Sequence, residues 1–288
     1  MKGLHVVFGA SGPLGSTIVQ QLADAGENVR AVVRDEEREH CAFPGHVEIF
    51  TCDPIHRRHA VEAAAGATTV YRCIRHTFGY SQWGELWLPI TENIIAAAHE
   101  AGARLVSPGN VYVYGPFQQI PATEDHPLAA TGPKGKMRVA TQGLLCRANR
   151  SGAVRVVIPR LPDLFGPHVL TRFHGGLFRA AVHGEAARWY GHRDVRRSLL
   201  FIDDAARACI LLGSTESAYG SVWHVPGPDP LTADELIRMV YKAAGRPPRV
   251  HGVSALSLKI EGIFDPDVKA FLEFRYRFEQ PAVLDGSR

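Results

Sequence analysis

Leu4-His5-Val6-Val7-Phe8-Gly9-Ala10-Ser11-Gly12-Pro13-Leu14-Gly15-Ser16-Thr17-Ile18-Val19-Gln20-Gln21-Leu22 is the stretch on which the rest of the reading depends. An apolar run of strand length meets a glycine turn, after which apolar residues recur at helical spacing. The pattern predicts strand, turn and helix. Glycine lets the backbone turn sharply and come close to a pyrophosphate. The first-turn N–H groups and the positive end of the helix dipole then face the phosphates. Gly9, Ser11, Gly12, Pro13, Leu14 and Gly15 are therefore the expected phosphate-binding residues. Their spacing is Gly-x-x-Gly-x-x-Gly, and an ordinary tight strand–helix turn is the plain alternative.

Outward from this turn, strands and helices alternate, as in a parallel sheet covered on both faces. Val29 to Val33 is a buried strand that ends at Arg34-Asp35. In a dinucleotide fold an acid at this point bonds the ribose 2′-hydroxyl, whereas an arginine pairs with a 2′-phosphate. Arg34 at the tip favours NADP over NAD, with a solvated charge cluster from Arg34 to Glu39 as the other reading. Val47 to Phe50 forms a third strand leading to Asp53, and Arg58 to Ala65 a crossover helix. Thr69 to Ile74 is a fourth strand whose Cys73 ends near the cofactor. The aromatic-rich segment beyond it holds His76, Tyr80 and Trp83. These residues are candidates for a substrate pocket at the strand ends, or for simple packing of a loop. Pro89 to Ala101 reads as a helix opened by proline and closed by Gly102.

The fifth strand, Arg104 to Ser107, runs into Pro108-Gly109-Asn110-Val111-Tyr112-Val113-Tyr114-Gly115. Together with the glycine turn, Asp53, Ile120-Pro121 and Glu124, this segment resembles the extended branch of the short-chain dehydrogenase/reductase superfamily. Arg160-Leu161-Pro162-Asp163-Leu164-Phe165-Gly166-Pro167 and Phe201-Ile202-Asp203-Asp204 continue the likeness. It is closest to sequences described as the NAD-dependent epimerase/dehydratase family. The resemblance implies a Rossmann-type α/β fold, a doubly wound parallel sheet with a smaller, interleaved C-terminal lobe. Residues 1–159 plus 200–226 would bind NADP, and residues 160–199 plus 227–288 the substrate. Leu161 and Asp163 are implied on the cofactor side. In relatives the helices Pro89–Ala101 and Lys134–Arg150 pair across a homodimer. The tail from Phe278 resembles a segment that precedes a final helix.

The family's chemistry rests on a Ser or Thr that bonds the substrate oxygen, a Tyr that passes the proton, and a Lys four residues on. The likeness places Asn110, Lys134 and Arg138 at these three positions, so the Ser-Tyr-Lys triad is degenerate. The replacements retain chemistry. Asn110 donates hydrogen bonds. Arg138 positions a ribose or an anion without shuttling protons. Lys134, beside Lys136, Arg138 and an oxidised nicotinamide, is a candidate acid. A solvated helix start, with water or Tyr112 handling protons, is the alternative. Phe165, Phe173 and Arg197 colour the pocket as aromatic and basic, which suits a flat molecule with an anionic group.

The activity expected is that of an NADP(H)-dependent oxidoreductase or redox isomerase of a small carbonyl or alcohol compound. An epimerase or dehydratase with a recycled cofactor, or a catalytically silent sensor like the NmrA-like regulators, are the rivals. Composition narrows the partners. Hydrophobic residues at 45% and charged residues at 21% belong to a folded domain, and a net charge of +3 gives no electrostatic footprint for nucleic acid. A small-molecule substrate is expected, with neither nucleic acid nor membrane. Five scattered cysteines make no zinc spacing, so no metal is expected. With neither a signal peptide nor a bilayer-length apolar run, the cytoplasm is the expected location.

Overall fold

The computed structural model describes residues 3–34, 43–74, 83–169 and 174–288. Asp35, His76, Tyr80 and Phe173 lie outside the described residues. From the N-terminus run β1 (Leu4–Phe8), α1 (Pro13–Asp24), β2 (Asn28–Val33), β3 (Glu48–Thr51), α2 (Arg57–Ala64) and β4 (Ala67–Arg72). They are followed by α3 (Trp83–Glu100), β5 (Arg104–Val106), the two-residue β6 (Gly109–Asn110), α4 (Pro133–Arg150) and β7 (Val156–Leu161).

Seven parallel strands form the central sheet in the order β12-β7-β5-β4-β1-β2-β3, with β12 spanning Val222–His224, and β6 adds to β7. Strand order reverses between β1 and β4, and the crevice outside the strand ends at that point is where open α/β sheets bind ligands. The two-residue period of β1 divides its side chains between the faces. Val7 packs with Ile18, Val19 and Leu22 of α1, whereas Val6 and Phe8 meet Ala60 of α2 and Ile90 and Ile94 of α3. Burial on both faces explains the near-continuous apolar strands.

The remaining elements are β8 (Asp163–Phe165), α5 (His174–His183), β9 (Ala187–Tyr190), β10 (Arg196–Arg197), β11 (Leu199–Phe201) and α6 (Ile202–Ser214). After β12 come β13 (Leu231–Thr232), α7 (Ala233–Ala243), β14 (Val250–Val253), α8 (Ala255–Phe264), α9 (Pro266–Leu272) and α10 (Tyr276–Glu279). Short pairs β8–β11, β9–β14 and β10–β13 join these segments. Trp189, Tyr241, Leu177 and Phe278 centre a separate core.

One helix expectation is corrected. The helix expected to begin at Pro89 begins at Trp83 and carries Pro89 inside it. Proline deprives the Glu85 carbonyl of its usual donor, but Trp87, Ile90, Ile94, Ala97 and Ala98 are all buried, and that burial outweighs the lost bond. Residues 266–279 form two helices, α9 and α10, separated by turn bonds from Phe274 N–H to the Phe271 carbonyl and from Arg277 N–H to the Phe274 carbonyl. The break brings Phe274 and Arg277 to the site below. The tail after it is stitched into the body. Ala122 N–H donates to the Val283 carbonyl and Asp285 N–H to the Ala122 carbonyl, both at 2.8 Å.

Candidate active site

The glycine turn lies at the crevice, where its geometry follows from what surrounds it. Gly9 adopts φ 79°, and a Cβ there would sit 2.7 Å from the Cys73 carbonyl oxygen and 2.9 Å from Ile74 Cα. A Cβ on Gly15 would strike the Gly9 carbonyl, so α1 presses directly on the turn. Gly12 caps α1 with extended backbone and Pro13 follows at the first helical position, where a missing N–H costs nothing. The first-turn amides have no intrahelical acceptor and face the crevice. These glycines fit a pyrophosphate.

Two cavities flank the turn and share Gly12 and Ile74. The first, about 130 Å³, is lined by Phe8, Val32, Arg34, Asp53 and Ile90 as well as the glycines. Arg34 stands exposed at the end of β2, and the Asp53 carboxylate accepts the Ile55 N–H at 3.1 Å. The second, about 340 Å³, opens between Leu14, Cys73, Asn110, Tyr112, Leu161 and Asp163. Burial pushes the Cys73 thiol up to about 12, so it stays protonated. Among the described residues no group of three or more His, Cys, Asp or Glu is placed to hold a metal ion, and no helix is long and apolar enough to cross a membrane.

Asn110 sits at the mouth of a 3₁₀ turn, Val111–Tyr114, which its side-chain oxygen caps by accepting the Tyr112 N–H at 3.2 Å. Its carbonyl accepts Arg160 Nη1 at 3.0 Å, so backbone and side chain are both held. The Tyr112 ring lies 4.1 Å from that of Phe274 and 4.7 Å from the Arg277 guanidinium. Arg277 Nη2 pairs in turn with Asp163 Oδ2 at 2.8 Å. Burial raises the Tyr112 phenol above its ordinary value, and the nearby cations Arg277 and Arg138 oppose that rise.

Arg138 stands over Trp87, 4.0 Å from the ring centroid, and Arg72 stands 4.8 Å from the same ring. The indole N–H donates to Thr141 Oγ1 at 2.9 Å, and Arg72 Nη2 donates to Thr91 Oγ1 at 2.8 Å. Burial, reinforced by the charge of Arg138, lowers Arg72 to about 9; burial lowers Arg138 to about 10, against the pull of Tyr112.

The other residues expected at the site are placed elsewhere. Lys134 shares a helix face with Arg138, but its Nζ lies 5.6 Å above the Phe274 ring and its backbone N–H donates to Glu273 at 2.7 Å; it lines neither cavity. Phe165 packs on Phe178 and Phe201. Arg197 is 2% exposed, with its guanidinium 4.7 Å from the Phe278 ring, and lines neither cavity. Trp83 opens α3, and its side chain lies outside what is described, as do His76, Tyr80 and Phe173 altogether. Two residues that sequence reasoning passed over, Arg72 and Arg277, are brought to the site, and Trp87, the last ring of the aromatic-rich segment offered for the pocket, lies under Arg138 and lines neither cavity. Arg72 carried a signal, a lone charge closing an apolar strand; Arg277 carried none.

A family model described as "NAD dependent epimerase/dehydratase family" matches residues 5–225. A 3-diazoavenalumate denitrifying reductase from a Streptomyces species is 26% identical over 272 residues, covering 90% of this chain and 87% of that protein. Among solved structures, UDP-glucose 4-epimerase from Thermotoga maritima with UDP-glucose aligns at a TM-score of 0.79 and 14% identity, over 99% of this chain and 90% of that one. The dTDP-glucose 4,6-dehydratase from Streptomyces venezuelae, with NAD bound, aligns at 0.77 and 18%, over 99% and 88%. At such identities the structural likeness speaks for the fold. With the family model spanning the glycine turn and the whole central sheet, the chain belongs to the NAD-dependent epimerase/dehydratase family, a family of NAD(P)-dependent oxidoreductases and epimerases.

Proposed function

We propose that this chain is an NADP(H)-dependent oxidoreductase or redox isomerase of a small carbonyl or alcohol compound, working through an altered site. The observation that carries the reading is the pair of cavities joined at Gly12 and Ile74, one ending at Arg34 and the other at Asn110 and Tyr112. Gly9, Gly15 and the first-turn amides of α1 would hold the pyrophosphate, and Arg34 the 2′-phosphate of NADP. When bound, the nicotinamide supplies hydride transfer. The reductase named among the relatives supports reduction as the direction. Residues 160–199 and 227–288 would form the substrate side.

Asn110 is held rigidly enough to donate its amide N–H to the reacting oxygen. Tyr112 is the proton donor best placed in this cleft: it lines the cavity, its phenol stays protonated at neutral pH, and the Arg277 guanidinium stands over its ring. Lys134, with its ammonium over Phe274, serves in this reading to bind α4 to the C-terminal segment. A panel of carbonyl compounds tested with NADPH would check these roles. Turnover should fall on the order of a hundredfold in Tyr112→Phe and by less than about threefold in Lys134→Ala, within the range of surface changes. The reverse order would restore Lys134 as the acid. Arg34→Ala should weaken NADPH binding about tenfold and leave NADH binding unchanged, as read by fluorescence titration.

A further inference from the structure

We propose that Arg277 is a positioning residue for the reaction, acting through Tyr112, against whose ring the C-terminal turn holds its guanidinium. This rests on the reading of Tyr112 as the proton donor and adds the group that supports that donor.

Tyr112 lines the second cavity, whereas Phe274 and Arg277, which pack on its ring, do not. Arg277 therefore reaches the reacting oxygen only by way of Tyr112. Two separate elements fix its guanidinium. Asp163 in β8 pairs with Nη2 at 2.8 Å, and the arginine is 7% exposed. The backbone that carries it is pinned as well. Arg277 N–H donates to the Phe274 carbonyl at 3.0 Å, and the next carbonyl, that of Phe278, accepts the His192 N–H at 2.8 Å. A Cβ on Gly191 would strike that same carbonyl, so the turn after β9 presses directly on the segment, and the Phe278 ring is buried in the core around Trp189. Rotamers locked by packing and by such an ion pair keep a functional group in its working geometry.

The charged and titratable groups that face Tyr112 are Arg277 and Tyr276 from α10, Asp163 from β8 and Arg138 from α4. Among these charges Arg277 acts most strongly, and it favours the phenolate. An opposite charge within about 4–6 Å stabilises the ionised form. In the proton-transfer step the Tyr112 O–H bond breaks, the proton passes to the substrate oxygen, and the electron pair stays on the phenolate; water returns the proton between turnovers. Negative charge thus develops beside a cation already in place, which costs no reorganisation at the moment of reaction. Without Arg277 the Asp163 carboxylate would face the phenol, and both changes would make Tyr112 a weaker acid.

Fluorine NMR of the full chain carrying fluorotyrosine, whose phenols titrate in a convenient range, follows this without turnover. Loss of one signal in Tyr112→Phe identifies the residue. In Arg277→Gln the Tyr112 midpoint should rise by at least about one pH unit, and in Arg277→Lys, which keeps the charge, by less than about half of that. Tyr219, which faces Arg104 and Arg155 instead, should keep its midpoint. With a compound turned over in the carbonyl panel, kcat at neutral pH should fall about three- to tenfold in Arg277→Gln while KM changes less than about twofold. Arg277→Lys should recover most of that kcat. A Tyr112 midpoint that stays or falls in Arg277→Gln, a Lys variant shifted as far as the Gln variant, or a loss confined to KM would overturn the proposal. If Arg277→Gln loses its native circular dichroism, the double variant Asp163→Asn/Arg277→Met, which leaves no unpaired charge, takes its place and should also raise the midpoint. A carbonyl panel without turnover, alongside the expected shift, would sink the redox reading and leave the coupling of Arg277 to Tyr112 standing.

Discussion

Gly9 shows how far a single position constrains the site. Its φ of 79° lies in the left-handed region, and the Cys73 carbonyl occupies the space that a side chain would need. Gly9→Ala should therefore cost about 1–2 kcal/mol for the backbone conformation alone, and more once the Cys73 carbonyl is forced away. Thermal unfolding would register the first effect, and weakened NADPH binding the displaced turn. This residue was legible because its demand is local: strand, turn and helix adjoin in sequence. Arg72 and Arg277 were not, since their meaning comes from Trp87, Arg138, Tyr112 and Asp163, which only packing brings near.

At the scale of elements, local signals and tertiary burial divide the outcome. Helix α7 follows its signals closely. Thr232 accepts the Glu235 N–H while Glu235 reaches back to the Thr232 N–H, a reciprocal cap that the Thr-x-x-Glu spacing encodes. Thr232→Ala should lower stability by about 1 kcal/mol in denaturant unfolding. In α3 the local proline signal pointed to the wrong start, because burial of the Trp87 and Ile94 face carries the helix through it. Ile94 is fully buried, and Ile94→Ala should cost about 2–5 kcal/mol through the cavity it leaves between α3 and the sheet. A loss below about 1 kcal/mol in the same unfolding measurement would show that the α3 face is not what sustains the helix.

Across the whole molecule, His224 ties the sheet to distant parts of the chain. Its Nε2 lies 2.6 Å from the Tyr114 hydroxyl and its Nδ1 2.9 Å from the Asp285 carbonyl, and its backbone N–H donates to Glu124 at 2.9 Å. Burial holds this imidazole below its ordinary value of 6.5, although the Asp285 carbonyl and Glu124 favour the charged form. The unfolded chain thus takes up the proton first as pH falls. The contribution of His224 is complete above 6.5 and is lost as pH drops through the lower folded value. His5, also lowered chiefly by burial, acts in the same direction. Denaturant unfolding between about pH 8 and pH 5 should show stability declining on the acid side. His224→Gln should flatten that decline; an unchanged slope would locate it elsewhere.

Alternating apolar segments, the glycine turn and the Thr-x-x-Glu cap determined the doubly wound sheet, its ligand crevice and several helix starts, because each depends on residues adjacent in sequence or one helical turn apart. Asn110, Tyr112 and Arg138 were also named from the sequence, through their spacing from motifs that the chain shares with its family. The tertiary structure decided what surrounds them. It set Lys134 over Phe274, drew Arg277 to Tyr112 from 165 positions along the chain, and laid Arg72 and Arg138 against one indole. A buried cation acquires its function from the charges and rings around it, and that environment exists only once the chain has packed.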